Sequence, residues 1–276
     1  MQSFYKGNIP IIDDDSATTD TAFPAGATYG YVERDLATSP ITMFGALPSA
    51  IKVIPRSEWD ARYDEQEAQQ SSLEHIFLNG PNGEPAFINL DQNGYGDCWA
   101  FSTGHSTMIQ RLKSNQPLMR LNPHATAVIL NQLDGWWCGL SAKLAREVGQ
   151  AEDGSGPGQW PGHSRSRSHD TPALRAAMAA NRISEEFVDL TRDVYSQNLT
   201  EDQLATCLFN NQAGPVDFNW WGHSVCAIRW VRIEPGDFGL LILNSWQGWG
   251  RHGLGVLRGS KRRPDGALSI LVSGAA

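Results

Sequence analysis

The sequence predicts a mixed α+β protein, and three observations carry that reading. Helical signals crowd residues 98 to about 210, strand signals crowd residues 215 to 257, and no apolar run approaches the ~18 residues of a membrane span. The first helix is expected from Cys98 to about Lys113. A second covers Asn122–Leu133, with Pro123 near its first turn and Ala125, Val128 and Ile129 as its apolar side. A third falls near Leu140–Val148. Two more fall near Pro172–Ala180 and Thr200–Asn210, where Thr200 followed by Glu201 and Gln203 reads as an N-cap. The strands expected are Pro215–Trp220, Ser224–Ile233, Gly239–Asn244 and Gly255–Leu257, with Glu234-Pro-Gly-Asp237 as a turn. Between the helices, residues 151–171 are rich in Gly, Ser and Arg and read as a loop between lobes or a disordered insertion.

Composition fits one core of about 200–220 residues with appendages. The chain has 276 residues, 41% of them apolar, and a net charge of −8, which argues against nucleic acid as a partner. The N-terminus lacks a charged region followed by an apolar stretch, so no secretory signal is visible. Residues 1–53 read as an irregular N-terminal arm in which Pro, Gly, Thr and Asp dominate, with Tyr29–Glu33 as one short strand. Residues 54–276 read as the folded domain. The four cysteines, at 98, 138, 207 and 226, include no Cys-x-x-Cys pair. That argues against a zinc site, and no cofactor is expected.

Three segments carry chemistry: Gln92-Asn-Gly-Tyr-Gly-Asp-Cys98-Trp-Ala-Phe-Ser102, Trp221-Gly-His223-Ser-Val225, and Leu243-Asn244-Ser-Trp246-Gln-Gly-Trp249-Gly250. In this order they resemble the papain-like cysteine peptidases, which carry Gln, then Cys-Trp-Ala-Phe, then Gly/Asp-His-Ala-Val, then Asn-Ser-Trp-Gly. Ile54-Pro-Arg-Ser-Glu-Trp-Asp60-Ala-Arg62 resembles the opening of the mature domain of that family. The resemblance implies a two-lobed α+β fold, with a helical lobe carrying the cysteine and a β-barrel-like lobe carrying the histidine and asparagine. It also implies a cysteine-type endopeptidase acting on a peptide or protein substrate. Cys98 would be the nucleophile and His223 its acid/base partner. Asn244 would orient the imidazole, while Gln92 and the Cys98 N–H would hold the oxyanion.

These residue types suit the chemistry. A free thiol with pKa ~8.5 is mostly protonated at neutral pH and needs an imidazole and a helix N-terminus to favour its thiolate. Cys98 is therefore expected to be more acidic than a free cysteine. Asp97 is expected to cap the helix while opposing the thiolate by its charge. The resemblance also implies that Trp246 shields the His223–Asn244 bond from water. It marks Cys138 as a cysteine whose disulfide partner is lost, since Tyr95 stands where relatives have the second cysteine. His105 and His124 read as structural histidines, and Arg165-Ser-Arg167 as a solvated loop.

Two function classes stay open at this level. One is the thiol peptidase. The other is a papain-fold structural or interaction protein, such as a virus-particle component, with an idle triad. Missing disulfides and the absent signal favour a reducing intracellular setting or a virus particle, without membrane association. The arm reads as a docking arm for protein assembly in preference to an inhibitory pro-segment, because it resembles no helical pro-domain.

Overall fold

The computed structural model describes residues 3–17, 22, 27–28, 30–35, 38, 52–133, 135–183, 188–190 and 201–270. Its centre is a long helix, α3, preceded in the chain by two shorter ones: α1 (Trp59–Gln69) and α2 (Leu73–Leu78). Helix α3 runs over Cys98–Lys113, and every residue from Cys98 to Arg111 is buried. A helix enclosed on all sides must satisfy its polar side chains internally. Ser106 and Thr107 do so by donating to the carbonyls of Ser102 and Thr103 one turn back (2.8 and 2.9 Å). His105 accepts from the Leu90 N–H at 3.2 Å. Asn115, just beyond the C-terminus, takes a left-handed conformation (φ 53°) and turns the chain away.

Around α3 lie α4 (His124–Ile129), α5 (Cys138–Glu147), α6 (Pro172–Met178) and α7 (Glu201–Phe209). The sequence-expected helix at 122–133 is shorter because Asn131 is left-handed (φ 56°) and Gln132 N–H closes back on the Ala127 carbonyl. The region 151–171 is not a disordered insertion. Two short strands, β3 (Glu152–Asp153) and β4 (Gln159–Trp160), pair in parallel. The Trp160 ring is buried, and its indole N–H donates to the Ser164 carbonyl (2.9 Å). Neither α1 nor α2 was expected from the sequence. Trp59 anchors α1 through edge contacts with Trp230, Phe238 and Phe209 (centroids 5.3, 5.6 and 5.9 Å).

The second lobe is one eight-stranded sheet. Two strands at its edge come from the N-terminus: β1 (Ser3–Tyr5) and β2 (Ile9–Ile12). The others are β5 (Val188–Asp189), β6 (Gly214–Phe218), β7 (His223–Glu234), β8 (Asp237–Leu243), β9 (Leu254–Leu257) and β10 (Gly266–Ser269). Their order is β1-β2-β9-β8-β7-β6-β10-β5, antiparallel throughout except for β2 beside β9. Residues 3–12 therefore differ from the irregular character read in the sequence. Lys6 and Gly7 at positive φ make a tight turn, and Ile9, Ile11 and Ile12 are buried in the main core. The span is too short for its alternation to stand out before a partner strand is known.

A buried ionic knot ties this hairpin to the sheet. Arg229, fully buried on β7, sends Nη1 to Glu67 and Glu74 (2.5 and 2.6 Å), and Lys6 reaches the same two carboxylates (3.2 and 3.1 Å). The Tyr5 hydroxyl donates to Glu74 (3.3 Å) and shares a bond with that of Tyr63 (3.0 Å). Glu67, Glu74 and His75 place ligand atoms within 4.8 Å of one another. Two cationic side chains already neutralise the two carboxylates, so the donor set does not fit a metal ion. Replacing Arg229 by Met leaves the buried Glu74 carboxylate with only the part-exposed Lys6 as a cation, and about 3 kcal/mol of stability should be lost in urea titration. Adding Glu74→Gln to that variant should restore most of the loss; a single-variant loss below about 1 kcal/mol would show that the knot behaves as a solvated pair.

Candidate active site

His223 is bonded to Asn244 where β7 begins and β8 ends, Gln92 is tied to Ser245 beside them, and Cys98 opens α3. Cys98 is the first residue of α3, and Asp97 before it has φ −102° and ψ 10°, outside the helix. His223 opens β7 after a tight turn. Trp221 N–H donates to Phe218, Gly222 N–H donates to Asn219, and Gly222 takes φ 59°, which a side chain would disfavour. Asn244 follows β8 directly. Its N–H donates to the Gly253 carbonyl (2.8 Å), and its own carbonyl accepts from the Asn89 side chain (2.7 Å). All four residues are fully buried.

The hydrogen bonds fix the tautomer of His223. Asn244 Oδ1 lies 2.8 Å from His223 Nε2 and also accepts the Ser245 N–H at 2.7 Å. The backbone N–H can only donate, so the atom facing His223 is the amide oxygen, and Nε2 must carry the hydrogen. The basic lone pair of the neutral ring is then on Nδ1. Trp246 stacks on the imidazole (centroids 4.4 Å, 26° between planes), and Trp221 meets its edge (4.9 Å). Gln92 is held from three sides. Its N–H donates to the Ser245 carbonyl (2.9 Å), its Oε1 accepts from the Ser245 hydroxyl (2.6 Å), and its Nε2 donates to the Tyr95 carbonyl (2.6 Å). One of the two amide hydrogens is used by Tyr95, which leaves a second donor on the same nitrogen.

The N–H and hydroxyl dipoles of Ser224, the residue after His223, favour a thiolate at Cys98. Over it pass residues 27–28 and 30–35 of the same chain. The Thr28 N–H donates to the Gly94 carbonyl (2.8 Å), and the Tyr31 N–H to the Gly222 carbonyl (3.3 Å). Trp136 is bracketed in parallel, its N–H donating to Gly30 (3.0 Å) and its carbonyl accepting from Val32 (3.1 Å). Gly30 is packed so closely that a Cβ there would lie 2.6 Å from the Cys98 sulfur and 2.7 Å from the Gly96 carbonyl carbon. Beyond it, Tyr31 packs against the cluster of Trp137, Cys138, Ala142 and Leu268, and Arg34 pairs with buried Asp189 (2.7 Å).

This cover sets the protonation states. Loss of water pushes the Cys98 thiol up to about 12; the Ser224 donors pull it down, and the charges of Asp217 and Asp97 push it further up. Loss of water pushes the His223 imidazole down to about 3, against the opposing pull of Asn244. The covered site thus holds a neutral thiol beside a neutral imidazole, contrary to the acidic cysteine expected from sequence. The difference is desolvation, which outweighs the helix N-terminus.

Asp97 also differs from its expected role. It makes no side-chain cap to α3. Its Oδ2 binds His124 Nδ1 at 2.8 Å and the Arg165 guanidinium, whose Nη2 reaches the Leu133 carbonyl at 2.6 Å. Arg165 is accordingly no solvated loop residue: it lies over the Tyr95 ring (4.5 Å). His124 Nε2 in turn meets His163 Nδ1 (3.1 Å) at the wall of a separate cavity of ≈ 760 Å³, lined also by Phe87, Asn89, Asp91 and Trp249. Neither Cys98 nor His223 borders that cavity. Cys138 is a free cysteine, with its thiol on Asp217 Oδ2 (3.0 Å). Gly30, Asp217 and Ser224 were not singled out by sequence reasoning, and Arg165 was read only as a solvated residue. Of the first three, only Ser224 left a trace there, as the residue that stands where the family motif has Ala.

No family model and no curated protein matches the chain. Solved structures do. Procathepsin L2 proteinase from the larval midgut of Tenebrio molitor aligns with TM-score 0.58 at 18% identity, covering 90% of this chain and 79% of that one. Xylellain, a cysteine protease from Xylella fastidiosa, aligns with TM-score 0.56 at 16% identity over 90% of this chain and 97% of that one. A structure from work on the mite allergens Blo t 1 and Der p 1 gives 0.57 at 12% identity, over 90% and 81%. The likeness shows the fold, an α+β papain-like architecture of two lobes. Among the described residues no helix is long and apolar enough to cross a membrane.

Because Trp246 excludes water from His223, Trp246→Ala should raise the imidazole pKa from about 3 towards its ordinary ~6.5, as read by NMR titration of the ring protons. The sign for stability follows. The unfolded imidazole takes a proton below about 6.5, but the folded one does not until about 3. This group therefore costs stability as pH falls through that window, and the variant should show a shallower acid loss.

Proposed function

We infer that the chain is a cysteine-type peptidase held latent by its own segment 27–35. The observations that support this reading are a papain-like fold, the His223–Asn244 bond, Gln92 tied to Ser245, and Gly30 pressed on the Cys98 sulfur at the head of α3. With the strap withdrawn, water returns and the desolvation that keeps both groups neutral relaxes. His223 Nδ1 then takes the thiol proton, and the thiolate attacks the substrate carbonyl carbon. The imidazolium gives that proton to the leaving amine, and a water deacylates the enzyme with His223 as base. Asn244 holds the ring through Nε2, while the free N–H of the Gln92 amide and the Cys98 N–H serve the oxyanion.

A papain-fold interaction module with an idle triad is the second reading, favoured by the covered, un-ionised thiol. The expectation that the arm serves assembly belongs with it; the contacts of residues 27–35 with Gly94, Trp136 and Gly222 favour an intramolecular role for that part of the arm.

Gly30→Val tests the reading, since its Cβ has no room above the sulfur. The variant should alkylate Cys98 with iodoacetamide at least about tenfold faster, the effect of one pKa unit or more. It should also hydrolyse a denatured protein substrate, and Cys98→Ala in the same background should abolish that hydrolysis. Faster alkylation without hydrolysis would favour the interaction module. Unchanged alkylation would remove the latency argument.

A further inference from the structure

The strap brings more than Gly30 into the cleft. Tyr31 packs against the apolar cluster that contains Trp137, Cys138 and Leu268, and three residues further on Arg34 enters the same wall. Arg34 Nη1 donates to Asp189 Oδ2 at 2.7 Å, with the arginine side chain 3% exposed and the carboxylate fully buried. The guanidinium carbon lies over the Trp137 ring, 4.2 Å from its centroid. Both receiving groups belong to the core and not to the strap. Trp137 is the N-cap of α5, and Asp189 on β5 is the cross-strand partner of Leu268 on β10.

An enclosed carboxylate beside an enclosed indole face is a seat for a planar cation. A guanidinium suits it better than an ammonium, because it stacks on the ring and still donates in its own plane to the carboxylate. The seat is also close to the nucleophile. Gly30 covers the Cys98 sulfur, and the four residues from Gly30 to Arg34 span at most about 14 Å. An extended polypeptide laid over the sulfur can therefore reach it.

We propose that Asp189 and Trp137 form a subsite for an arginine side chain of the polypeptide substrate, which Arg34 fills while the strap is closed. That occupant is a substrate on the peptidase reading, on which the proposal rests. Withdrawal of the strap takes the guanidinium from Asp189 and leaves a buried charge without its cation, a strongly destabilising state. An arginine of the incoming chain restores both the ion pair and the stacking, so one guanidinium is exchanged for another. A neutral side chain gives no such compensation, and an ammonium brings the charge without the planar contact. The seat thus couples opening of the cleft to the chemistry of what enters it. Polypeptides with an arginine about four residues from the position over the sulfur are selected, and the cluster under Tyr31 selects an apolar residue between the two.

The test separates the seat from turnover. The full-length chain carries Gly30→Val and Arg34→Ala, so that its strap loses both holds, and Cys98→Ala, so that nothing is cleaved. It is titrated with a fluorescein-labelled peptide of the strap sequence, Ala27-Thr-Tyr-Gly-Tyr-Val-Glu-Arg-Asp35, and with the same peptide bearing citrulline or lysine in place of arginine. By fluorescence anisotropy the arginine peptide should bind at least about tenfold more tightly than its citrulline isostere, with lysine between them. Asp189→Asn should bring the three affinities together. With Cys98 restored, the chain should cut a denatured protein at sites that carry arginine at one fixed offset. Equal binding of the arginine and citrulline peptides overturns the proposal, and so does cleavage with no fixed arginine, which would leave the peptidase reading intact. Arginine-selective binding in a chain that hydrolyses nothing sinks the peptidase reading and leaves the seat as a peptide-binding site. Should Arg34→Ala prevent folding, millimolar ethylguanidinium added during refolding should restore the native near-ultraviolet circular dichroism where ethylurea does not; equal effects of the two overturn the proposal.

Discussion

Exclusion of water from one sulfur atom governs the site. Cys98 lies at the junction of α3, the start of β7 and the strap, and each of these removes part of its hydration. The helix N-terminus and the Ser224 donors would favour a thiolate, yet they act on an atom that has lost its solvent. Transfer of a charge into such a place costs more than these dipoles return. The same exclusion keeps the imidazole neutral and makes the Asn244 bond a neutral hydrogen bond. The protonation pattern is thus a property of the closed arrangement, not of the residue types alone.

Much of the fold was legible because its signals are local. The bounds of α3 could be read from Cys98 and from the change to Ser, Asn and Gln after Lys113. β7 and β8 appeared as apolar runs on either side of a Pro-Gly turn. Gln92, Cys98, His223 and Asn244 were legible through their neighbours; in the structure His223 is bonded to Asn244, Gln92 to Ser245 next to it, and Cys98 opens α3, all four buried. What could not be read depends on partners distant in sequence. The hairpin of β1 and β2 is a strand pair only because β9, some 240 residues on, offers an edge. Arg165 looked like a solvated residue because nothing local shows that Asp97 needs a cation.

Asp97 illustrates how tertiary pairing overrides a local rule. A residue before a helix start is a natural cap, yet this one turns its carboxylate to Arg165 and His124. Burial pushes its own pKa up, and both partners pull it back. The pairing also pins the 160s loop against α4, so the charge beside the nucleophile is as much a fastener of the helical lobe as an electrostatic neighbour of the sulfur.

The strap is part of a continuous chain whose two flanks are both anchored, in the sheet through Ile9–Ile12 and in the core through Trp59. Such a segment never becomes a free competitor. Lifted from the cleft, it stays at the high local concentration of a tethered ligand, and its return costs only the closure of a loop between two fixed anchors. Diluting the protein cannot dissociate it, and a competing peptide must overcome proximity as well as contacts. Severing the strap on one side would convert the same contacts from a unimolecular clasp into a swinging end. The hairpin would remain seated in the sheet by its own burial, so the release of the cleft and the integrity of the fold are mechanically separable.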